Sequence, residues 1–354
     1  MKLRLRRAQN LAPAALSAKR SYAERDSVIV LLEDEGGACG FGEAAPLPGY
    51  SPDDLERAAA SLSAVAESKL ESAFERGSAL ETLRGCAELV SPRCPAARFA
   101  LETAALDLLG KQRALPAPSL LGAAPRAERE LACLLGRASD AQLLDRAEYA
   151  IRLGFCTLKL KIASGDGREL EAVAELRRRV GTAVALRLDA NRGLSSRVAH
   201  EFCRQLEPHG IELFEEPCTD ALHELPIPLA LDESLQGLSP SAALARLLVT
   251  RARAAVLKPT TLGGVSHCFD LAHQLAPYGI AAVASHAFEG PIAQRAIAAL
   301  ALALPPALAH GLGPAQPGAA AMPAHTPMLR AWDAPGLALE HDAHLLGLEL
   351  DRAP

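Results

Sequence analysis

Thr157-Leu158-Lys159-Leu160-Lys161-Ile162 reads as a buried strand with two lysines set two residues apart. Side chains alternate across a strand, so Lys159 and Lys161 point to the same side, and in a closed barrel that side can be the interior. Lysine is almost never fully buried without a partner. A buried lysine loses proton affinity and becomes a usable base near neutral pH. The plainer reading is a solvated edge strand whose lysines discourage aggregation.

Around this stretch the texture is of short apolar runs alternating with helical periodicity. Strands are expected at Leu131–Leu135, Phe155–Ile162, Ala185–Asp189, Glu212–Glu215, Leu229–Asp232, Ala254–Lys258, Ile280–Ser285 and Ala307–Leu312. Helices fit between them at Glu169–Val180, Ser195–Glu207 and Gly263–Ala276. Eight strands joined by crossovers predict a parallel barrel.

Upstream, Leu3–Arg7, Ser27–Leu32 and Cys39–Ala44 read as strands, the last two joined as a hairpin through Glu35-Gly36-Gly37. The Pro46–Tyr50 stretch is a punctuated loop with an exposed-looking Tyr50, either simple turn chemistry or a flap over a pocket. Ser51 can cap the next helix, with Asp53 and Asp54 in its first turn, and Ala96–Lys111 is the clearest helix before the Pro-rich junction at 115–125. Beyond Gly313 the pattern dissolves, recovering at Leu346–Leu350 as a final strand that can return to the first domain.

The 354 residues are 49% hydrophobic and 22% charged, with a net charge of −5 and no block of like charge. Nucleic acid is therefore not an expected partner. Eight cysteines without CxxC spacing suggest neither zinc nor a disulfide framework. The apolar Ala293–Leu308 carries Arg295 and Pro305-Pro306, so it reads as a barrel helix and not a membrane span, and the start lacks a signal-like apolar core. A cytoplasmic, reduced protein is the expectation. The sequence carries no signature of oligomeric state.

Barrel chemistry sits at the C-terminal strand ends. Those ends are Lys159 and Lys161, then Asp189, Glu215, Asp232, Lys258 and Ser285-His286, with 26, 17 and 26 residues separating the four from Asp189 to Lys258. Three carboxylates around one point repel unless a cation sits among them, and an oxygen-only donor set suits Mg²⁺ or Mn²⁺ rather than zinc. Each acid could instead begin the following helix as a cap. That alternative accounts poorly for lysines flanking the acidic set on both sides. The chemistry supported is proton abstraction next to the carboxylate of a small-molecule substrate: a cation as Lewis acid, a neutral lysine as base. No GxSxG, P-loop or GxGxxG follows a strand, and Gly263-Gly264 is expected to open a helix near a ligand anion.

Lys159-Leu-Lys161, Arg187-Leu-Asp189-Ala-Asn191, Glu215-Glu216-Pro217-Cys218, Leu231-Asp232-Glu233-Ser234 and Leu257-Lys258-Pro259-Thr260 together resemble the enolase superfamily, in its muconate-lactonizing subgroup. The resemblance implies a (β/α)7β TIM-type barrel over 126–312. It also implies an α+β capping domain over 1–125 and a tail, 313–354, returning to it. Gly42-Glu43-Ala44-Ala45-Pro46-Leu47-Pro48-Gly49-Tyr50-Ser51, Asp189-Ala-Asn191-Arg192 and Glu216-Pro217-Cys218 look most like o-succinylbenzoate synthases. Such enzymes dehydrate 2-succinyl-6-hydroxy-2,4-cyclohexadiene-1-carboxylate in menaquinone synthesis. By that resemblance Asp189, Glu215 and Asp232 bind Mg²⁺ and Lys161 takes the α-proton. Lys258 stabilises the enediolate, and Lys159 depresses the proton affinity of Lys161. Asn191, Arg187, Glu216 and Glu233 become supporting residues, with Ser285, His286, Gly263 and Tyr50 beside the substrate.

The sequence departs from that family at Ala284-Ser285-His286-Ala287-Phe288-Glu289-Gly290, where a serine run ending in Glu-Ser is common. His286 thus replaces a small polar residue near the expected succinyl carboxylate. It could contact that carboxylate, mark another substrate or be structural. N-succinylamino acid racemases, which use both lysines, are the alternative within the resemblance. Dipeptide epimerases usually carry Asp-x-Asp near strand eight, and His310-Gly311-Leu312-Gly313 has no such pair. A barrel with a vestigial site, serving as an assembly partner, is a third reading.

Overall fold

The computed structural model describes residues 1–12, 15–17, 21–75, 77–220, 222–313 and 326–339. Lys2–Ala12 (β1), Arg25–Glu33 (β2) and Cys39–Ala44 (β3) form an antiparallel sheet in that order. The β2–β3 hairpin turns where Gly36-Gly37 stands, Gly37 at φ 82°. Helices Leu55–Ser63 (α1), Glu67–Phe74 (α2), Ala79–Glu88 (α3) and Pro95–Arg113 (α4) complete this unit. The long α4 lies directly on β3. A Cβ on Gly42 would stand 1.9 Å from the Ala100 carbonyl oxygen, so only glycine permits this approach.

Ser51 does not cap α1. Asp54 does, accepting from Arg57 N at 2.8 Å, because the helix begins at Leu55 and Ser51 lies three residues ahead of the cap position. Ser51 Oγ instead accepts from Leu47 N and tightens the Pro46–Tyr50 loop. Asp53 accepts from Ala96 N at the start of α4.

Seven parallel strands follow: Cys133–Arg137 (β4), Thr157–Lys161 (β5), Ala185–Asp189 (β6), Ile211–Glu215 (β7), Leu229–Leu231 (β8), Ala254–Leu257 (β9) and Ala281–Ala284 (β10). They pair in sequence order, as βαβ crossovers require. Their covering helices are Leu143–Arg152 (α5), Gly167–Val180 (α6), Ser196–Leu206 (α7), Pro240–Thr250 (α8), Val265–Leu275 (α9) and Pro291–Ala303 (α10). Among the described residues a 3-10 turn at Leu222–Glu224 is the helical element between β7 and β8, matching the short spacing there. The edge-strand reading of Lys159 and Lys161 fails, since β5 is paired on both sides by β4 and β6.

The expected eighth strand at Ala307–Leu312 forms no ladder. His310 bridges Leu131 and Gly311 bridges Ser285, closing the space between β4 and β10 with a few hydrogen bonds. Pro305-Pro306 withhold donors just before it and Gly311 and Gly313 offer no side chains to pack. Correspondingly, the first barrel strand starts at Cys133, not Leu131.

One apolar cluster runs from Val28 on β2 through Phe99 on α4 to Ile297 on α10, so capping unit and barrel share a core. Leu213, Ala230, Ala254, Val256 and Val283 form a smaller one of strand residues. In the tail, Met328–Arg330 pairs with Glu128–Glu130 and Leu337 N donates to Asp107 on α4. The expected strand at Leu346–Leu350 lies outside the described residues. Among the described residues no helix is long and apolar enough to cross a membrane.

Candidate active site

Sheet register aligns the strand ends. Lys161 lies opposite Asp189, and Asp189 opposite Glu215, while one layer down Lys159 lies opposite Arg187. Adjacent parallel strands are about 4.8 Å apart, so these side chains must meet. Lys159 Nζ is 2.5 Å from Glu215 Oε2 and 2.8 Å from Asp189 Oδ2. Lys161 Nζ donates to the same Asp189 oxygen at 2.6 Å and to Asn191 Oδ1 at 3.0 Å. Four strands away, Lys258 Nζ donates to Asp232 Oδ2 and to the Tyr50 hydroxyl, each at 2.5 Å. Tyr50 in turn donates to Asp232 at 2.7 Å. The loop at Pro46–Tyr50 therefore reaches the barrel mouth, and Tyr50 is half-buried rather than exposed.

Burial and mutual repulsion dominate the electrostatics. Burial, with Asp189 and Asp232 nearby, lifts the Glu215 carboxyl to about 8. Burial and the same two neighbours lift Glu233 to about 8. Burial opposes charge on Lys159 and Lys258, yet the carboxylates around each override it and hold both above the ordinary lysine value. Asp189 goes the other way: burial raises it, and Lys159 and Lys161 outweigh that to leave it below the ordinary carboxylate range.

The supporting residues hold the loops that carry these groups. The Glu216 carboxylate accepts from Asp232 N, Ser234 N, Ser234 Oγ and Arg192 Nε, so it shapes the loop bearing Asp232. Asn191 ties Lys161 to Glu233, donating to the latter at 3.0 Å. Asn191, Arg192 and Glu216 all sit at positive φ, strain of the kind retained where loop geometry matters.

Lys159, Lys161, Lys258, Ser285, His286, Phe288, Ala132, Leu134, Gly311 and Gly313 line one narrow cleft of about 50 Å³. His286 Nδ1 accepts from Phe288 N at 3.0 Å, and the two rings meet edge to face at 5.0 Å. Burial first, then Lys258, Lys159, Arg25 and Lys161, pushes His286 down to about 3, so its imidazole is neutral. Ser285 Oγ donates to Gly311 O.

Two expected site residues lie elsewhere. Arg187 pairs with Glu212 and donates to Ala309 O below the cleft, a structural tie within the barrel. Gly263 and Gly264 do precede a helix, α9, but the anion at its start is the chain's own Glu102. Glu102 accepts from Ser266 N and Oγ, and a Cβ on Gly264 would fall 2.5 Å from it. Likewise Glu43 accepts from Gly290 N and Ala293 N at the start of α10. Sequence reading assigned neither role, because each acid belongs to an element of the other unit and no local spacing links it to its helix.

With Asp189 and Glu215 turned to Lys159, and Asp232 to Lys258, no three Asp, Glu, His or Cys among the described residues are grouped to hold a metal ion. The donor chemistry still fits a hard cation. Every candidate donor is a carboxylate oxygen, and Glu215 Oε1 is buried without a hydrogen-bond partner.

Residues 142–345 match the family described as enolase C-terminal domain-like, and residues 3–122 match the mandelate racemase / muconate lactonizing enzyme N-terminal domain. The hydrophobic dipeptide epimerase of Enterococcus faecalis is 29% identical over 193 residues, which is 54% of this chain and about half, 53%, of that enzyme. The o-succinylbenzoate synthase of Aliivibrio fischeri is 28% identical over 298 residues, 82% of each chain. Muconate lactonizing enzyme from Pseudomonas fluorescens, solved with muconolactone, shares the fold with a TM-score of 0.81 at 22% identity, covering 95% of each chain. Matched in both its domains, this chain belongs to the enolase superfamily, with the architecture of its muconate lactonizing enzyme group.

Proposed function

We propose that the protein is an o-succinylbenzoate synthase. It dehydrates 2-succinyl-6-hydroxy-2,4-cyclohexadiene-1-carboxylate by removing the proton next to the ring carboxylate and then the ring hydroxyl. The observation that carries this reading is the pair Lys161 and Lys258, which line one cleft from strands half a barrel apart. Unprotonated Lys161 takes the α-proton, and the C–H pair becomes an enediolate. Lys258, held as a cation by Asp232 and positioned by Tyr50, stabilises that charge. The Lys161 ammonium then returns its proton to the departing hydroxyl on the same face, the C–O bond breaks, and water and an aromatic ring result. Asp189, Glu215 and Asp232 would hold Mg²⁺ or Mn²⁺, which supplies positive charge to the substrate carboxylate. Asn191, Glu216 and Glu233 orient that set.

Turnover of the cyclohexadiene by purified protein with Mg²⁺, repeated with EDTA, tests the reading. Fast aromatisation that EDTA abolishes is expected. Failure of the Mg²⁺-loaded protein to turn it over, together with racemisation of N-succinyl amino acids, would replace the lyase by an isomerase.

A further inference from the structure

Two loops from different units stand around the lysines. One, 46–51 of the capping unit, carries Tyr50 to Lys258; the other, 286–290 of the barrel, carries His286 and Phe288 into the cleft wall. Strand alternation explains how one residue comes to touch both. Arg25, Ser27 and Ile29 share a face of β2, and Glu43 on β3 lies opposite Ile29. The other face of β3, where Gly40 and Gly42 stand, is covered by α4, so Arg25, Ser27 and Glu43 face the barrel. From there Arg25 Nη2 donates to Ala45 O at 3.1 Å and to Ala287 O at 2.8 Å. Ala45 directly precedes the capping loop, and Ala287 stands between His286 and Phe288.

This bridge sits among fixed charges. Glu43 Oε1 accepts from Ser27 Oγ at 2.9 Å and from Gly290 N at 2.8 Å. A Cβ on Gly290 would fall 2.5 Å from that oxygen, so only glycine lets the barrel loop come this close. Glu289 is fully buried, and its Oε2 accepts from Ala287 N at 2.7 Å. Glu289 and Glu43 are the carboxylates whose charge acts on Arg25, opposing the cost of burying it. The 286–290 loop is thus held at Ala287 O by a cation and at Gly290 N by an anion, both from the capping unit. Within it Phe288 sits at φ 58° and gives its N–H to His286 Nδ1 at 3.0 Å, a strained turn of the kind that persists only with outside support.

We propose that Arg25 is a positioning residue that sets two walls of the site together: one guanidinium nitrogen fixes the 46–51 loop to the 286–290 loop, so the seat of the capping unit on the barrel determines where Tyr50, His286 and Phe288 stand. Arg25 acts through those three side chains and through no proton transfer of its own. The inference goes beyond the lyase reading, since the loops wall the site whatever is bound in it.

Hydrogen–deuterium exchange, followed by mass spectrometry on wild-type, Arg25→Met and Arg25→Lys proteins, tests it. Arg25→Met keeps the stem and removes the donors. It should speed exchange in both 46–51 and 286–290 by about tenfold or more, while 157–161 and 185–189 keep wild-type protection. Arg25→Lys, which keeps a cation and can reach one carbonyl, should restore part of that protection. In the turnover assay with the cyclohexadiene, KM should rise in Arg25→Met by a larger factor than kcat falls, because Lys161 and Asp189 stand on strand ends held by sheet pairing. Should loss of the cation beside Glu43 and Glu289 prevent folding, Arg25→Met/Glu289→Gln, which removes one charge of each sign, takes the place of the single variant. Unchanged exchange in both loops, opening of one loop alone, faster exchange spread through the strands, or a fall in kcat with KM unchanged would overturn the proposal. An inactive wild type would remove the lyase assignment, and the exchange result would still decide for or against Arg25.

Discussion

Lys159 and Lys161 share one oxygen of Asp189 but keep different company. Lys159 also holds Glu215, whereas the second partner of Lys161 is the neutral Asn191 amide. Two carboxylates hold Lys159, whereas Lys161 keeps one carboxylate and a neutral amide, and the proposed base role rests on that difference. Lys161→Ala should therefore slow α-proton exchange in deuterated water by about 10²- to 10⁴-fold, followed by NMR, and Lys161→Arg should not restore it because guanidinium does not deprotonate. Exchange that persists in Lys161→Ala would pass the base role to Lys258. This constellation was legible in the sequence because strand alternation and strand-end positions are local properties. The lock on His286 was not, since it depends on one backbone N–H at a positive φ.

At the level of elements, α9 and α10 start without a side-chain cap of their own. Glu102 from α4 and Glu43 from β3 take that place, joining the capping unit to the barrel through helix N-termini that favour negative charge. Burial nonetheless lifts Glu102 from 4.5 to about 7. A raised folded-state value means the neutral form is preferred in the fold. Its stabilisation is full below the unfolded value and is lost as pH rises from about 4.5 through about 7, worth roughly 3 kcal/mol at most. Denaturant unfolding at pH 5 and pH 8 should show wild type losing more stability than Glu102→Gln over that interval. Parallel losses would mean that Glu102 ionises as readily in the fold as outside it. The strands and helices themselves were readable within a few residues from apolar periodicity. The eighth strand was misjudged in extent: Ala307–Leu312 makes only isolated bridges, through His310 to Leu131 and through Gly311 to Ser285.

The whole molecule is two units by topology but one by packing, because a continuous apolar cluster crosses from β2 and α4 to the barrel helices. Unfolding should thus be a single cooperative transition, with far-ultraviolet circular dichroism and the fluorescence of Trp332, which packs against that cluster, changing together. Two resolved transitions would show that the shared core is weaker than either part. Closure at His310-Gly311 has a further consequence. A cylinder laced by ladders along its other joints but stitched here by a few hydrogen bonds has a seam. Amides of Ala132, His310 and Gly311 should exchange with deuterium sooner than those of Leu158–Lys161, and equal protection would mean the stitch is as firm as the ladders. That seam borders Ser285 and His286, so the least firmly joined edge of the cylinder is also a wall of the cleft, whereas the strands that bear the carboxylates are laced on both sides.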